Sequence, residues 1–261
     1  MIGNGNPALN EDTFSIPVSE LESNRSVMTL GSTVFKSLTL VGICIVCATI
    51  TWGLTTKGGT FDAGVAMPWM LGGVIGGLIF ALITIFKPQA APVTAPIYAA
   101  LEGLFLGAVS AFYEASFGTQ NGQAGPFSGI VVQAVALTMA VTFVMLALYG
   151  TRVIRVTEKL RAGIIAATGA VVLVYLASFV MGFFGVEMPY LHSNGPIGIG
   201  ISLVIVGIAA FNLLLDFDLI ERGVRGGAPK YMEWYAGFAL LVTLVWLYLE
   251  ILRLLSKLRS R

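Results

Sequence analysis

The chain has 261 residues, of which 56% are hydrophobic and only 11% charged, and its formal net charge is +1. A soluble domain carries about 25% charged residues. The composition therefore points to an integral membrane protein, excludes a polybasic nucleic-acid binder and, with two cysteines, excludes a disulfide framework.

Met1–Gly31 is polar and turn-rich, and Glu11, Asp12, Glu20 and Glu22 make it mildly acidic. Such a segment cannot bury enough apolar surface to order itself. Residues 1–33 are read as a disordered cytoplasmic tail, with a docking peptide as the alternative. The first apolar run starts near Val34, is too long for a signal-peptide core, and lacks a basic n-region ahead of it. It is read as a span that stays in the membrane.

Seven runs reach the roughly 20 residues that a bilayer core demands. They are Val34–Leu54, Val65–Phe86, Pro96–Phe117, Ser128–Tyr149, Arg161–Gly185, Ile197–Ile220 and Trp234–Leu255. A helix satisfies its own backbone in lipid, and the alternation of a membrane barrel is absent. The expected fold is an all-α, multi-pass bundle of seven transmembrane helices over residues 34–256. A short basic tail, 257–261, follows.

Arg25, Lys36, Lys87, Arg152, Arg155, Lys159, Arg161, Arg222, Arg225 and Lys230 fall on the side of the N-terminus. The opposite loops hold Lys57. The positive-inside rule then puts the N-terminus in the cytoplasm. Arg253, Lys257, Arg259 and Arg261 violate that rule if all seven runs cross; a re-entrant run is the alternative. Gly72, Gly73, Gly76 and Gly77, and again Gly103 and Gly107, have the spacing that lets membrane helices approach closely. Packing within the chain is favoured over dimerisation.

The candidate chemistry lies in carboxylates inside these runs. A charge deep in a bilayer costs roughly 2.5–3.5 kcal/mol on insertion scales, so intramembrane acids face the bundle interior, pair, or handle ions. Glu102 sits beside Gly103 in the third run; the alternative is a protonated structural residue. Glu114 lies near the other end of that run and reads as interfacial. Asp216 and Asp218 close the sixth run. Two residues apart on a helix is about 200° of rotation, so one faces the bundle. The other caps, reaches the interface, or pairs with Arg222 at the i,i+4 spacing. Glu233 opens the seventh run and Glu250 lies about 25 Å further along it. Glu250 is placed near the far side, against Arg253 or Lys257.

Acids that converge share a proton, and in the deprotonated form they suit a hard cation such as calcium. Asp218, Asp216 and Glu102 are therefore the candidate ion-pathway residues, pH sensor and transient calcium ligands. Glu250, Glu233 and Arg222 are secondary candidates. Cys44 and Cys47 lie inside an apolar run and read as small buried residues. His192 stands alone, which argues against a metal site. No nucleophile elbow, zinc-protease motif or phosphate loop is present, and the seventh run has no lysine for a Schiff base. The chain is not expected to be an enzyme or to hold a tightly bound cofactor.

The segments APIYAALEGLFLG, NLLLDFDLIERG and MEWYAGFALLVTLVWLYLEILRLL, set in seven spans, resemble the transmembrane Bax inhibitor family, in its bacterial branch. The likeness covers Val34 to Leu255. It implies a pH-sensitive calcium leak in a fold whose last helix is central, in a bacterial inner membrane. It further implies that an aspartate of the sixth helix and one of the seventh form a hydrogen-bonded pH sensor. The family's Tyr-Asp-Thr-Gln register points to Asp218, and its Glu-Gly motif to Glu102. Its Leu-Tyr-Leu-Asp resembles LYLE at Glu250. Aligned instead from the segment starts, that aspartate falls near Val242 and Asp216 stands in for the partner. The Thr-Gln is missing here, and no arginine lies within Ile97–Phe117.

Two functions follow. One is a pH-sensitive calcium leak channel or exchanger exchanging protons and calcium with the bilayer's two sides. The other is a non-conducting membrane regulator that binds a partner such as a membrane protease or stress-response protein. A proton-coupled small-molecule transporter is disfavoured, since no paired broken helices appear.

Overall fold

The computed structural model describes residues 27–57, 60–118, 129–185 and 193–260. Most of the N-terminal tail, and His192, lie outside them. Among the described residues seven helices are long and apolar enough to cross a membrane. They are α1 (Leu30–Thr55), α2 (Ala63–Phe86), α3 (Ala91–Phe117), α4 (Ile130–Gly150), α5 (Glu158–Phe183), α6 (Pro196–Arg225) and α7 (Met232–Arg259). A two-residue ladder, β1 (Thr56–Lys57) with β2 (Thr60–Phe61), joins α1 to α2.

Local chemistry sets the helix starts. Thr29, Asp62 and Thr157 are N-caps whose side chains accept from backbone N–H groups of α1, α2 and α5, satisfying donors that a helix start leaves unpaired. Pro196 opens α6, where its missing N–H costs nothing. Thr29 explains why α1 begins ahead of Val34. At the other end of the chain, Lys257 and Arg259 belong to α7 and not to a tail.

Packing follows the small residues. α3 lies against both α1 and α2, and α7 lies against α6, α1, α3 and α4. A Cβ on Gly103 would come within 2.3 Å of the Cys44 carbonyl oxygen, and one on Gly107 within 2.2 Å of the Ala48 carbonyl oxygen. These glycines let the α1 and α3 backbones touch. Gly73 does the same between α2 and α3, where a Cβ would meet Phe105 at 2.7 Å. The glycine-rich stretch of α2 thus packs within the chain. The apolar core lies between α1, α3, α6 and α7, with Leu40, Leu213, Leu214, Leu247 and Leu252 fully buried.

Seen along the bundle there are two polar ends. At one, the Met28 N–H donates to the Ala228 carbonyl at 2.7 Å, tying the entry to α1 against the α6–α7 turn. At the other, Arg259 donates to Phe117 O at 2.8 Å, to Gly118 O, and to the Gln133 side chain at 2.9 Å. Those carbonyls end α3, where a helix needs donors. Glu114 accepts from Val131 N at 3.1 Å and so caps the start of α4. Lys257, 5% exposed, donates to Gly198 O at 3.1 Å and Ser202 Oγ at 2.8 Å on α6. Of the cations that break the charge rule, Lys257 and Arg259 are thus engaged by the bundle, and Arg261 lies outside the described residues.

Gly107→Ala should destabilise the protein strongly, because backbone would have to move to admit the methyl group, whereas Gly72→Ala, with nothing within 4 Å, should be neutral. Thermal unfolding of both variants in detergent checks this; equal midpoints would refute the close α1–α3 contact.

Candidate functional site

Asp216 lies nine residues, or about 14 Å along the axis, before the end of α6. It points toward α7, where Thr243 is the polar side chain beside its carboxyl. The Thr243 hydroxyl itself donates to the Ala239 carbonyl oxygen at 3.3 Å. Asp216 Oδ2 is buried and has no hydrogen-bond partner among the described residues. A buried, unmatched carboxylate oxygen is costly. It calls for a proton, a water or a cation.

Asp218 points the other way, as two residues on a regular helix require. Its Oδ2 receives Arg161 Nη2 of α5 at 2.7 Å and Arg222 Nε at 2.9 Å. Asp218, expected from the sequence to lead the ion pathway, is thus engaged by two cations. With two guanidiniums on it, Asp218 is an ion-pair residue that ties α5 to α6, and Asp216 is the acid that faces α7. The neighbouring Glu221 follows the same pattern: it accepts from Tyr149 and pairs with Arg152 at 3.3 Å and with Arg225.

Glu102 sits on α3, one turn after Tyr98, which lies beside it on the same helix face. Gly77 of α2 makes room for it: a Cβ there would stand 3.1 Å from Glu102 Oε2. Glu102 thus faces α2, while Asp216 faces α7. Among the described residues no three His, Cys, Asp or Glu side chains come together. Asp218, Asp216 and Glu102 do not form one calcium site; the reason is angular for the two aspartates, and for Glu102 it is the helix it faces.

The secondary candidates are structural in geometry. Glu233 is fully buried and accepts from Thr29 N at 3.0 Å, Thr29 Oγ1 at 3.3 Å, Ser32 Oγ at 2.8 Å and Lys36 Nζ. It locks the start of α7 to the start of α1. Glu250 pairs with Arg253 at 3.1 Å and accepts from Tyr175 of α5 at 2.8 Å and Trp246 Nε1 at 3.3 Å. Arg222 is the second cation on Asp218.

A cavity of about 440 Å³ lies between α1, α3, α4 and α7, lined by apolar side chains such as Leu106, Met139 and Leu244. No carboxylate lines it. Its hydroxyls are spent internally: Ser110 and Tyr248 bond each other at 2.7 Å, and Thr138 donates to Ala134 O at 2.7 Å. Cys44 reaches this cavity and is buried, and both cysteines are free. The partners Thr243, Arg161 and Tyr149 were not legible as site residues. Thr243 is the one Ser or Thr within Trp234–Leu255, which is the available signal for it.

Two substitutions separate the acids by role. Glu233→Ala leaves Lys36 and two hydroxyls without their acceptor and should cost on the order of 3–5 kcal/mol, as for a broken buried pair. Asp216→Asn removes a charge that no cation matches and should leave thermal stability unchanged or raised. Unfolding midpoints of the purified variants decide, and a large loss in Asp216→Asn would contradict the geometry described.

Neither a curated protein nor a solved structure matches the chain. A family model described as Bax inhibitor 1 like matches residues 6–260. With nearly its whole length matched, the seven-helix chain belongs to the Bax inhibitor 1 like family.

Proposed function

We propose that this chain is a proton-sensitive cation leak, with calcium as the transported ion, controlled by Asp216. The observation that carries the reading is the buried Asp216 oxygen without a partner, facing the Thr243 hydroxyl at the α6–α7 contact. Protonated, the carboxyl is neutral and can donate a hydrogen bond. Deprotonated, it is a charge in a low-dielectric bundle, where electrostatic attraction to a cation is strong. A divalent, oxygen-seeking ion meets that need. Glu102 is a second acid inside the span and is assigned to the same path at another step. Asp218 acts on it only through the packing of α5. The distribution of Lys and Arg supports a cytoplasmic N-terminus. The bacterial inner membrane is the host membrane that the family resemblance favours.

The sign follows from the chemistry. Calcium needs the ionised carboxylate, so flux into proteoliposomes should rise from mildly acidic to mildly alkaline buffer. Asp216→Asn should remove that pH dependence, and Glu102→Gln should lower flux. Asp218→Asn should keep the pH dependence. Absence of flux above empty liposomes at every pH, from folded protein, would overturn the conduction reading. The chain would then be a non-conducting membrane regulator whose acids serve structure.

A further inference from the structure

Helix α5 is attached to the bundle unlike any other. Its principal neighbour is α6, and among its described residues only Ile164 and Val171 are buried. Most of its large apolar side chains face outward, for example Leu173 at 66% exposed and Phe179 at 65%. The contact is a seam one residue wide: Arg161, Ile164, Thr168, Val171 and Tyr175, at steps of three and four that keep residues on one helix face.

Polar and apolar positions alternate along that seam. Arg161 pairs with Asp218 at 2.7 Å. Two turns on, Thr168 Oγ1 accepts from Asn212 Nδ2 at 2.8 Å. Two turns further, Tyr175 donates to Glu250 at 2.8 Å and accepts from Arg253. Between them, Val171 packs in a small apolar cluster with Ile205, Ile201 and Ile208 of α6. In lipid there is no hydrophobic drive between helices; close packing over a broad glycine-lined face can hold them, but a narrow apolar seam holds weakly, and polar contacts act as glue. The seam therefore owes its hold to three polar clasps. Both flanks of α5 contain a backbone turning point in the left-handed region: Arg152 at φ 57° and Gly185 at φ 71°. Arg152 is the one non-glycine residue at positive φ among those described, and such residues cluster at switching segments.

We infer that α5 is a detachable gate helix. The three clasps at Asp218, Asn212 and Glu250 hold it shut, and it leaves the bundle as a unit when they release. Departure uncovers the α6 face that carries Asn212 and Asp218, beside the segment bearing Asp216. That this motion admits cations rests on the function proposed above; the detachment itself does not.

The test uses the full chain in lipid nanodiscs with Cys44→Ala and Cys47→Ala. Spin labels at Val174→Cys on α5 and Val46→Cys on α1, both exposed, report the α5–α1 distance. Releasing the clasps with Arg161→Gln, Thr168→Val and Tyr175→Phe should shift or broaden the distance distribution by several ångström. Trimming the apolar seam with Ile164→Ala and Val171→Ala should change it far less. An unmoved distribution in the clasp variant, or equal release by the apolar variant, overturns the inference. A cross-link between Thr168→Cys and Asn212→Cys should then bring calcium flux toward the level of empty liposomes and restore it on reduction. Unchanged flux with the cross-link formed refutes the gate. A chain that never conducts refutes the leak reading alone, since the spin-label distances still judge the helix.

Discussion

A charge inside a bilayer-spanning bundle has to be spent on something, because lipid offers it nothing. That constraint organises the molecule. Glu233 is spent on Lys36 and two hydroxyl groups of α1. Asp218 is spent on two guanidiniums, and Glu250 on Arg253 and a tyrosine. Lys257 is spent on the Gly198 carbonyl and the Ser202 hydroxyl of α6, and Arg259 on the carbonyls that the end of α3 leaves open. Against this background the unmatched oxygen of Asp216 is the exception, and exceptions of that kind in membrane helices point to function.

Much of the fold was legible because hydropathy in lipid is a strong signal. Seven runs of the right length became seven helices, with boundaries moved by a few residues wherever a cap such as Thr29 or Thr157 lay outside the apolar stretch. Gly73, Gly76 and Gly77 of α2 and Gly103 and Gly107 of α3 meet neighbouring helices as their spacing suggested, while Gly72 faces open space. The site was less legible. Spacing showed that Asp216 and Asp218 diverge and that Arg222 could pair with Asp218. It could not show Arg161, 57 residues earlier, whose guanidinium completes the pairing and leaves Asp216 as the acid toward α7. Thr243 was invisible for a related reason: a lone hydroxyl in an apolar run bonds its own backbone as readily as a neighbour. The motif register points to Asp218; in three dimensions Asp218 carries two cations, and Asp216 carries none among the described residues.

The bundle is also uneven in how it holds together. Around α3 the backbones touch, and dispersion over a glycine-lined contact does the holding. Around α5 the backbone stands off and side-chain polar contacts do it. Rigid and releasable parts therefore coexist in one chain, separated by α6 and α7.

The cations at the end of α7 bear on how the molecule is made. The two polar ends of the bundle both carry lysines and arginines, so whichever end faces the site of synthesis, one set has to traverse hydrocarbon during insertion. Arg253 can make that passage beside Glu250, its neighbour on the same helix, as a neutral couple. Lys257 and Arg259 have no such neighbour: their acceptors belong to α6 and to the end of α3. If the α7 terminus is the end that crosses, those two charges meet their acceptors only once the earlier helices stand beside the last one, so the final segment settles most cheaply into a slot that the rest of the chain has already built.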